Sequence, residues 1–197
     1  MLSQNNNSSV ISNMGDVLLL KKLIISAKNG DSDAFSEVYK KLFTPLYRYT
    51  LSRCHDIELT KDICQQTFLK FYESLHTYEP EKSPLAYLFT IAKRLLINHH
   101  EKKSFTSIDE STLETLTDES SSLLDESYVR LLSESISDYL PRLSQDEQEV
   151  IRLYYLAEFT YTEISETMWK EEVYLRKLKE RALKKLRVLT KHLYEGN

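Results

Sequence analysis

The chain has 197 residues, of which 41% are hydrophobic, so it is long enough to form one domain or two small ones with buried cores. Its net charge of -4 would seem to disfavour a nucleic-acid partner, but the charge is segregated. Residues 104–138 carry nine acidic residues and one basic residue, whereas the segments on either side are slightly basic. The sequence has no glycine-rich phosphate loop and no nucleophile–base pair at usable spacing, which excludes the common enzyme classes.

Few residues break regular structure: the chain has only three Gly and four Pro. Apolar residues recur at intervals of three and four, which predicts an all-α protein. The two cysteines, Cys54 and Cys64, form neither a zinc motif nor a disulfide framework, and we expect both to be reduced. The His99-His100 pair has no partner at metal-ligand spacing, so the sequence predicts no metal site and no cofactor.

The N-terminal part is expected to begin with a disordered tail over residues 1–14 that is rich in Ser and Asn. A helix is predicted from Asp16 to Lys28, ended by Asn29-Gly30, and Asp31 should cap the next one. Pro45 lies inside that second helix and should kink it or make it restart near Thr44. The apolar run that starts at Val17 is interrupted by two lysines and is too short to span a bilayer, and the N-terminus lacks a signal peptide. A cytoplasmic protein without membrane insertion is therefore expected.

A helix is predicted over residues 60–75, with one buried face centred on Phe68 and Phe71. A second patch stays available for a partner; it consists of Gln65, Gln66, Leu69 and Tyr72. The alternative is that Leu69 and Tyr72 pack on a neighbouring helix.

The next helix should start with Ser83 as its N-cap and Pro84 as its first residue, and run to about Lys102. One face is apolar and the other is mostly basic, which suits binding to duplex phosphates. Its polar candidates are Lys93, Arg94 and Asn98. Tyr87 lies near the start and could stack on an exposed base or could equally be a packed core residue.

Residues 104–138 are rich in Ser, Thr, Asp and Glu, and their first part is predicted to be a flexible linker. In the segment 139–197, Ser144 with Glu147 and Thr160 with Glu163 are capping boxes that open two helices. The last helix has apolar residues on one face and basic residues on the others, and a short helix precedes it. This pattern is typical of a helix-turn-helix, although a solvated basic helix would give the same charge pattern.

Three segments resemble known motifs of bacterial sigma factors, including the primary ones. The stretch 175–187, with Leu140-Pro141, Glu149–Ile151 and Tyr161 upstream, resembles region four and its recognition helix. The stretch Asp62–Leu69 is similar to the signature of region two, with Gln66 in place of the usual Glu. Residues 85–95 resemble the promoter-melting segment, with Tyr87 where Trp is usual. The order of the two regions, separated by an acidic linker, is similar to the extracytoplasmic-function group.

This resemblance implies two small helical domains, a sigma region 2 domain over 15–103 and a sigma region 4 domain over 139–197, joined by the acidic linker 104–138. It implies that the patch on the 60–75 helix, together with Asp62, docks on the beta-prime coiled coil of core RNA polymerase. Tyr78, Tyr87, Lys93, Arg94 and Asn98 would act at the minus-ten element and in promoter melting. The candidates for the minus-thirty-five element, some of which could instead meet the beta flap, are Glu171, Glu172, Arg176, Lys177, Lys179, Arg181 and Lys184.

The implied function is that of a sigma factor that brings core RNA polymerase to promoter DNA, with an anti-sigma factor as a further partner that the resemblance leaves open. Two alternatives remain: a helix-turn-helix regulator that acts without polymerase, and a degenerate sigma fold that is only an interaction protein. Trp169 occupies the turn where the family commonly has Gly. Because a bulky side chain is costly at a positive φ angle, we expect a remodelled turn and a shifted second helix.

Overall fold

The structure, a computed structural model, describes residues 14–105 and 139–190. These two ranges contain seven α-helices and no strand, which confirms the predicted all-α fold. The helices are α1 Met14–Lys28, α2 Ser32–Cys54, α3 Ile57–Ser74, α4 Pro84–Phe105, α5 Gln145–Ile151, α6 Tyr161–Met168 and α7 Glu172–Leu189. A 3₁₀ turn, Leu140–Arg142, precedes α5, and a π-helical turn, Arg152–Leu156, follows it. Most of the predicted tail and linker lie outside the described residues.

The helix ends follow the local chemistry of the sequence. Gly30 has a φ of 95°, which lets the chain reverse after α1, and the Asp31 carboxylate accepts the backbone N–H of Ala34 at 3.0 Å. Ser83 caps α4 by accepting the N–H of Ala86 at 3.3 Å. Both predicted capping boxes, Ser144 with Glu147 and Thr160 with Glu163, are present. Side-chain chemistry visible in the sequence therefore sets where these helices begin.

Helix α2 is the centre of the first domain and packs against α1, α3 and α4. Its residues Val38, Leu42 and Leu46 are fully buried. The helix continues through Pro45 to Cys54, so the prediction of a restart near Thr44 was wrong. Pro45 is itself buried, and packing on three neighbouring helices compensates for the one backbone hydrogen bond that it cannot donate.

The second domain is built around the buried stripe of α7. Leu175, Leu178 and Ala182 pack into a core that also contains Val150 and Ile164. Two ion pairs tie α5 to the rest of this domain: Glu147 with Lys185 at 2.8 Å and Asp146 with Lys170 at 2.9 Å. The orientation of α7 is therefore fixed by both apolar packing and charge.

The two domains contact each other along α2 and the start of α4. Tyr49 donates its hydroxyl to Glu149 at 2.8 Å, and Arg53 pairs with the same carboxylate at 3.1 Å. The rings of Phe89 and Phe159 lie 4.6 Å apart at their centroids. In addition, Arg48 binds Glu158 at 2.8 Å and Ser83 donates to Glu163 at 2.7 Å. This interface joins the apolar cores of both domains into one cluster.

Candidate protein and nucleic-acid interfaces

The outward face of α3 carries the five residues assigned to a protein partner. Asp62, Gln65 and Gln66 are exposed, and so are the larger side chains of Leu69 and Tyr72, at 57% and 53%. The Tyr72 ring touches Phe35 edge-on at 4.9 Å, so it is supported on one side and open on the other. The opposite face of the helix is buried in the core through Phe68 and Phe71. An exposed apolar pair among polar groups on a well-packed helix is typical of a protein docking surface.

Helix α4 presents its polar residues on the side away from the core. Lys93, Arg94 and Asn98 are exposed, whereas Leu88, Ala92 and Leu96 are buried. Two adjacent cations on a buried, well-anchored helix can neutralise phosphates without reading bases. The structure thus brings these three predicted residues to one exposed face.

The two tyrosines assigned to base stacking differ in exposure. Tyr78 is 4% exposed, donates its hydroxyl to the backbone carbonyl of Lys82 at 2.6 Å, and packs against Phe71 at 5.5 Å. Burial raises the pKa of its phenol. Tyr87 is half-buried at 5.3 Å from the Tyr78 ring. For Tyr78 to stack on a base, its ring would have to leave the core, whereas Tyr87 already reaches the surface.

Tyr87 lines a cleft of about 400 Å³ where α4 faces α6. The carboxylate-bearing residues Glu81 and Glu166 line the same cleft. Lys82 lines the cleft as well, and Glu81 pairs with Lys21 at 2.6 Å, so the cleft carries charges of both signs.

The turn between α6 and α7 departs from the expectation. Trp169 adopts the left-handed conformation itself, with φ 55° and ψ 44°, and its backbone N–H bonds to the carbonyl of Ser165. The predicted remodelling of the turn was therefore wrong. The backbone has the left-handed conformation that glycine usually adopts at this position, although a bulky residue such as Trp is strained in it. The Trp169 side chain is 92% exposed.

Two of the predicted base-reading residues are already paired with each other. Arg176 donates to Glu172 at 3.3 Å and lies over the ring of Tyr161 at 4.0 Å from its centroid. Glu172 also accepts a hydrogen bond from Thr162 at 2.8 Å. Glu171 and Lys177 are exposed. Arg176 therefore stands in a fixed orientation at the first turns of α7, with its guanidinium still exposed on one side.

Lys179 lies among three tyrosines, an arrangement that the sequence analysis missed. Its ammonium nitrogen is 3.7 Å from the ring centroid of Tyr154, 5.3 Å from that of Tyr161 and 5.7 Å from that of Tyr155. Burial lowers the pKa of Lys179. Its hydrogen bond with Tyr161 and the neighbouring phenols raise the pKa by more than burial lowers it, so the net shift is upward. The lysine stays charged and clamps the π turn to α7. The clustering of Tyr154, Tyr155 and Tyr161 was the signal in the sequence.

The other two cations of α7 that were predicted as site residues, Arg181 and Lys184, are exposed. In the described ranges, no group of three His, Cys, Asp or Glu residues is arranged to hold a metal ion. None of the helices in these ranges is both long and apolar enough to cross a bilayer.

Comparison with known families gives two matches. A model described as sigma-70 region 2 matches residues 38–106, and one described as sigma-70, region 4 matches residues 139–188. The gap between these matches corresponds to the acidic segment.

Individual proteins named as RNA polymerase sigma factors match this chain over most of their own length. The ECF RNA polymerase sigma factor SigM of Bacillus subtilis is 27% identical over 154 residues, covering 78% of this chain and 93% of SigM. RNA polymerase sigma factor YlaC of the same organism is 28% identical over 141 residues, covering 69% of this chain and 80% of YlaC. SigW, also from Bacillus subtilis, is 29% identical, with 77% and 86% coverage.

Solved structures share the fold. CnrH, solved in complex with the cytosolic domain of CnrY, superposes with a TM-score of 0.67 at 18% identity, covering 88% of this chain and 98% of CnrH. The sigma factor RpoE of Bartonella quintana, solved with the anti-sigma factor NepR, gives a TM-score of 0.58 at 19% identity, with 80% and 96% coverage.

Proposed function

The chain belongs to the sigma-70 family, in its extracytoplasmic-function group, and from this premise we propose how its surfaces divide the work of transcription initiation. It is a sigma factor: it joins core RNA polymerase, directs it to specific promoters and promotes initiation. The observation that carries this conclusion is the pair of family matches, which cover residues 38–106 and 139–188 and so most of both described ranges. The protein supplies recognition, and the polymerase supplies the covalent chemistry.

The face of α3 that carries Leu69 and Tyr72 is the surface for core polymerase, on its beta-prime coiled coil. Its support is the exposure of two large apolar side chains beside Asp62 and Gln65 on a helix whose other face is core. Burying such side chains against a partner removes apolar area from water, and a few central residues of this kind dominate most interfaces. Gln66, where the family usually has Glu, removes one charge from this surface.

Promoter DNA is met by the basic face of α4 and by α7. Lys93, Arg94 and Asn98 hold the backbone near the minus-ten element, where Tyr87 stacks beside an unpaired base. In α7, Arg176 and Lys177 are placed for base edges, and Arg181 and Lys184 are placed for phosphates or for the beta flap. Seven basic residues against two acidic ones in α7 favour a polyanionic partner.

The two domains must separate for both elements to be read together. The minus-ten and minus-thirty-five elements lie about 25 base pairs apart, which is about 85 Å of duplex at about 3.4 Å per pair. A compact protein of this length has a radius of gyration of only about 16 Å. The 33 residues between 105 and 139 can span at most about 110 Å when fully extended, so their length allows the separation. The contacts of Tyr49 and Arg53 with Glu149 are then among those that break.

A protein that joins core polymerase acts where transcription takes place, so the cytoplasm is its proposed location. CnrH and RpoE were each solved with a bound partner, and the partner of RpoE is named an anti-sigma factor. An anti-sigma factor is accordingly proposed as a regulator of this chain.

The test is to present a pool of genomic fragments to the protein alone, to core polymerase alone, and to the two together. A sigma factor selects fragments only together with core polymerase. A regulator of the other class would select fragments without polymerase. A degenerate fold would bind core polymerase and select nothing, and either of these two results would overturn the proposal.

A further inference from the structure

Three hydrophobic side chains are exposed at the start of the helix that is proposed to enter the major groove. Tyr174, at 41%, lies beside the cations Lys170 and Arg181, and the other two are more exposed. Val173, in the first turn of α7, is 63% exposed, and Trp169, in the preceding turn, is 92% exposed. Neither side chain is buried in the core, so core packing does not explain why these positions are apolar. Both stand next to residues proposed to face base edges.

Val173 points directly away from the domain core. It precedes Leu175, Leu178 and Ala182 by two, five and nine positions, which at about 100° per residue places it on the opposite side of the helix. Following it on the same outward line are Lys177 and Lys184, both exposed. Val173 is therefore the leading residue of the face that the helix presents outward.

The neighbouring polar groups are partly occupied by internal partners. Glu172 is held by Thr162 and Arg176, and Lys170 binds Asp146 at 2.9 Å. Trp169, by contrast, is 92% exposed to solvent among the described residues, and it holds a φ angle that is rare for a bulky residue. The fold gains little from an indole at that position, and an Asn or Gly would take the same backbone conformation at lower cost.

The major groove offers one apolar feature to such side chains, the 5-methyl group of thymine. Resting on the function proposed above, we propose that Val173 and Trp169 form an apolar reading surface that recognises thymine methyl groups in the minus-thirty-five element. The partner is duplex DNA rather than protein, because the same outward face continues into the lysines of a helix with seven basic and two acidic residues. The preference for A·T pairs at those positions is then set by contact with methyl groups, and Arg176 and Lys177 read adjacent positions.

Replacing thymine with uracil removes the methyl group and leaves the hydrogen-bonding pattern unchanged, so it isolates this contact. The experiment uses holoenzyme and a duplex fragment that the holoenzyme selects, with single thymine-to-uracil replacements across the minus-thirty-five element. At one or two positions the replacement should weaken binding by the wild type about fourfold, the effect of burying one methyl group. In Val173→Ala, or in Trp169→Asn, which tolerates the left-handed turn, the same replacement should change binding less than about twofold.

Val188 provides the matched control, because it is 70% exposed on the same helix but near its C-terminal end. Val188→Ala should keep the full difference between thymine and uracil. The inference is overturned if the wild type binds both duplexes equally, or if Val173→Ala keeps the difference. It is also overturned if Val173→Ala weakens binding to core polymerase in the absence of DNA, which would make this face a protein contact. A wild-type holoenzyme that selects no fragment would instead overturn the proposed function itself.

Discussion

Glu147 shows how one carboxylate can hold two parts of a fold together. It is 4% exposed, accepts hydrogen bonds from the backbone and hydroxyl of Ser144, each at 3.0 Å, and pairs with Lys185 of α7 at 2.8 Å. Burial raises the pKa of Glu147, but the hydrogen bonds from Lys185 and Ser144 outweigh it, and the net pKa lies below the usual 4.5. The ionised form is therefore favoured by folding.

Glu147→Gln should lower the free energy of unfolding at pH 7 by about 1 to 2 kcal/mol, since Gln keeps the capping box but loses the charged pair. Because the folded-state pKa is depressed, the stabilisation is present above about pH 4.5 and is lost as the pH falls through the lower folded value. Urea unfolding at pH 7 and at about pH 3.5 measures this, with exposed Glu180→Gln as the control. An equal loss at both pH values would contradict the assignment.

Tyr78 marks a limit of reading residue roles from sequence. A tyrosine in a polar loop can be a base-stacking residue, and the pattern contains nothing to show that the loop folds back on Phe71. The structure shows the ring buried between Phe71 and Tyr87, with its hydroxyl satisfied by Lys82. Stacking of Tyr78 on an exposed base stays a prediction, and it requires the ring to leave the core.

Tyr87→Ala in holoenzyme should slow open-complex formation on duplex promoters more than on templates already melted around the minus-ten element. The physical reason is that a stacking ring stabilises the unpaired base, which the premelted template supplies without cost. Permanganate reactivity of unpaired thymines follows the opening. Equal losses on both templates would show that Tyr87 acts only through packing.

The elements themselves were more predictable than single roles. The caps at Asp31, Ser83, Ser144 and Thr160 could be recognised because each satisfies backbone N–H groups locally, within three residues. The turn at Trp169 was predicted wrongly, since the cost of a positive φ for Trp argued for a different backbone. The α6 and α7 packing around Ile164 and Leu175 imposes the turn instead, and such long-range constraint is not visible in local propensity.

On α3, the face that we propose for docking lies opposite the face that is buried in the core. The triple variant Asp62→Ala, Gln65→Ala, Leu69→Ala should weaken binding to core polymerase about tenfold or more while leaving the melting temperature nearly unchanged, because all three side chains are exposed. Phe68→Ala should instead lose about 3 to 5 kcal/mol of stability, because its ring is buried. Binding and thermal unfolding of each variant distinguish the two effects.

The control for the docking face is an exposed set on α2: Ser36→Ala, Glu37→Ala, Lys40→Ala. It should leave polymerase affinity intact. If the α3 triple variant binds core polymerase as tightly as the wild type, this face is not the docking surface.

At the scale of the whole molecule, the contact between the domains was the feature that sequence could not supply. Tyr49 with Glu149 and Arg48 with Glu158 are 100 and 110 residues apart along the chain, so no local pattern connects them. The interface is also incompletely satisfied: the Nε atoms of Arg48 and Arg152 are buried without a hydrogen-bond partner among the described residues. A buried donor without a partner costs free energy, so these atoms destabilise the contact between the domains, in line with the separation that we propose above.

The central claim is that this chain gives core RNA polymerase its choice of promoter. Mapping transcription start sites on genomic DNA with core polymerase, with and without the protein, tests it most directly. We predict new start sites whose upstream DNA shares two sequence elements at a constant spacing, and we predict that the α3 triple variant reduces their use because it binds core polymerase more weakly. Start sites identical to those of core polymerase alone, or unchanged by that variant, would contradict the account.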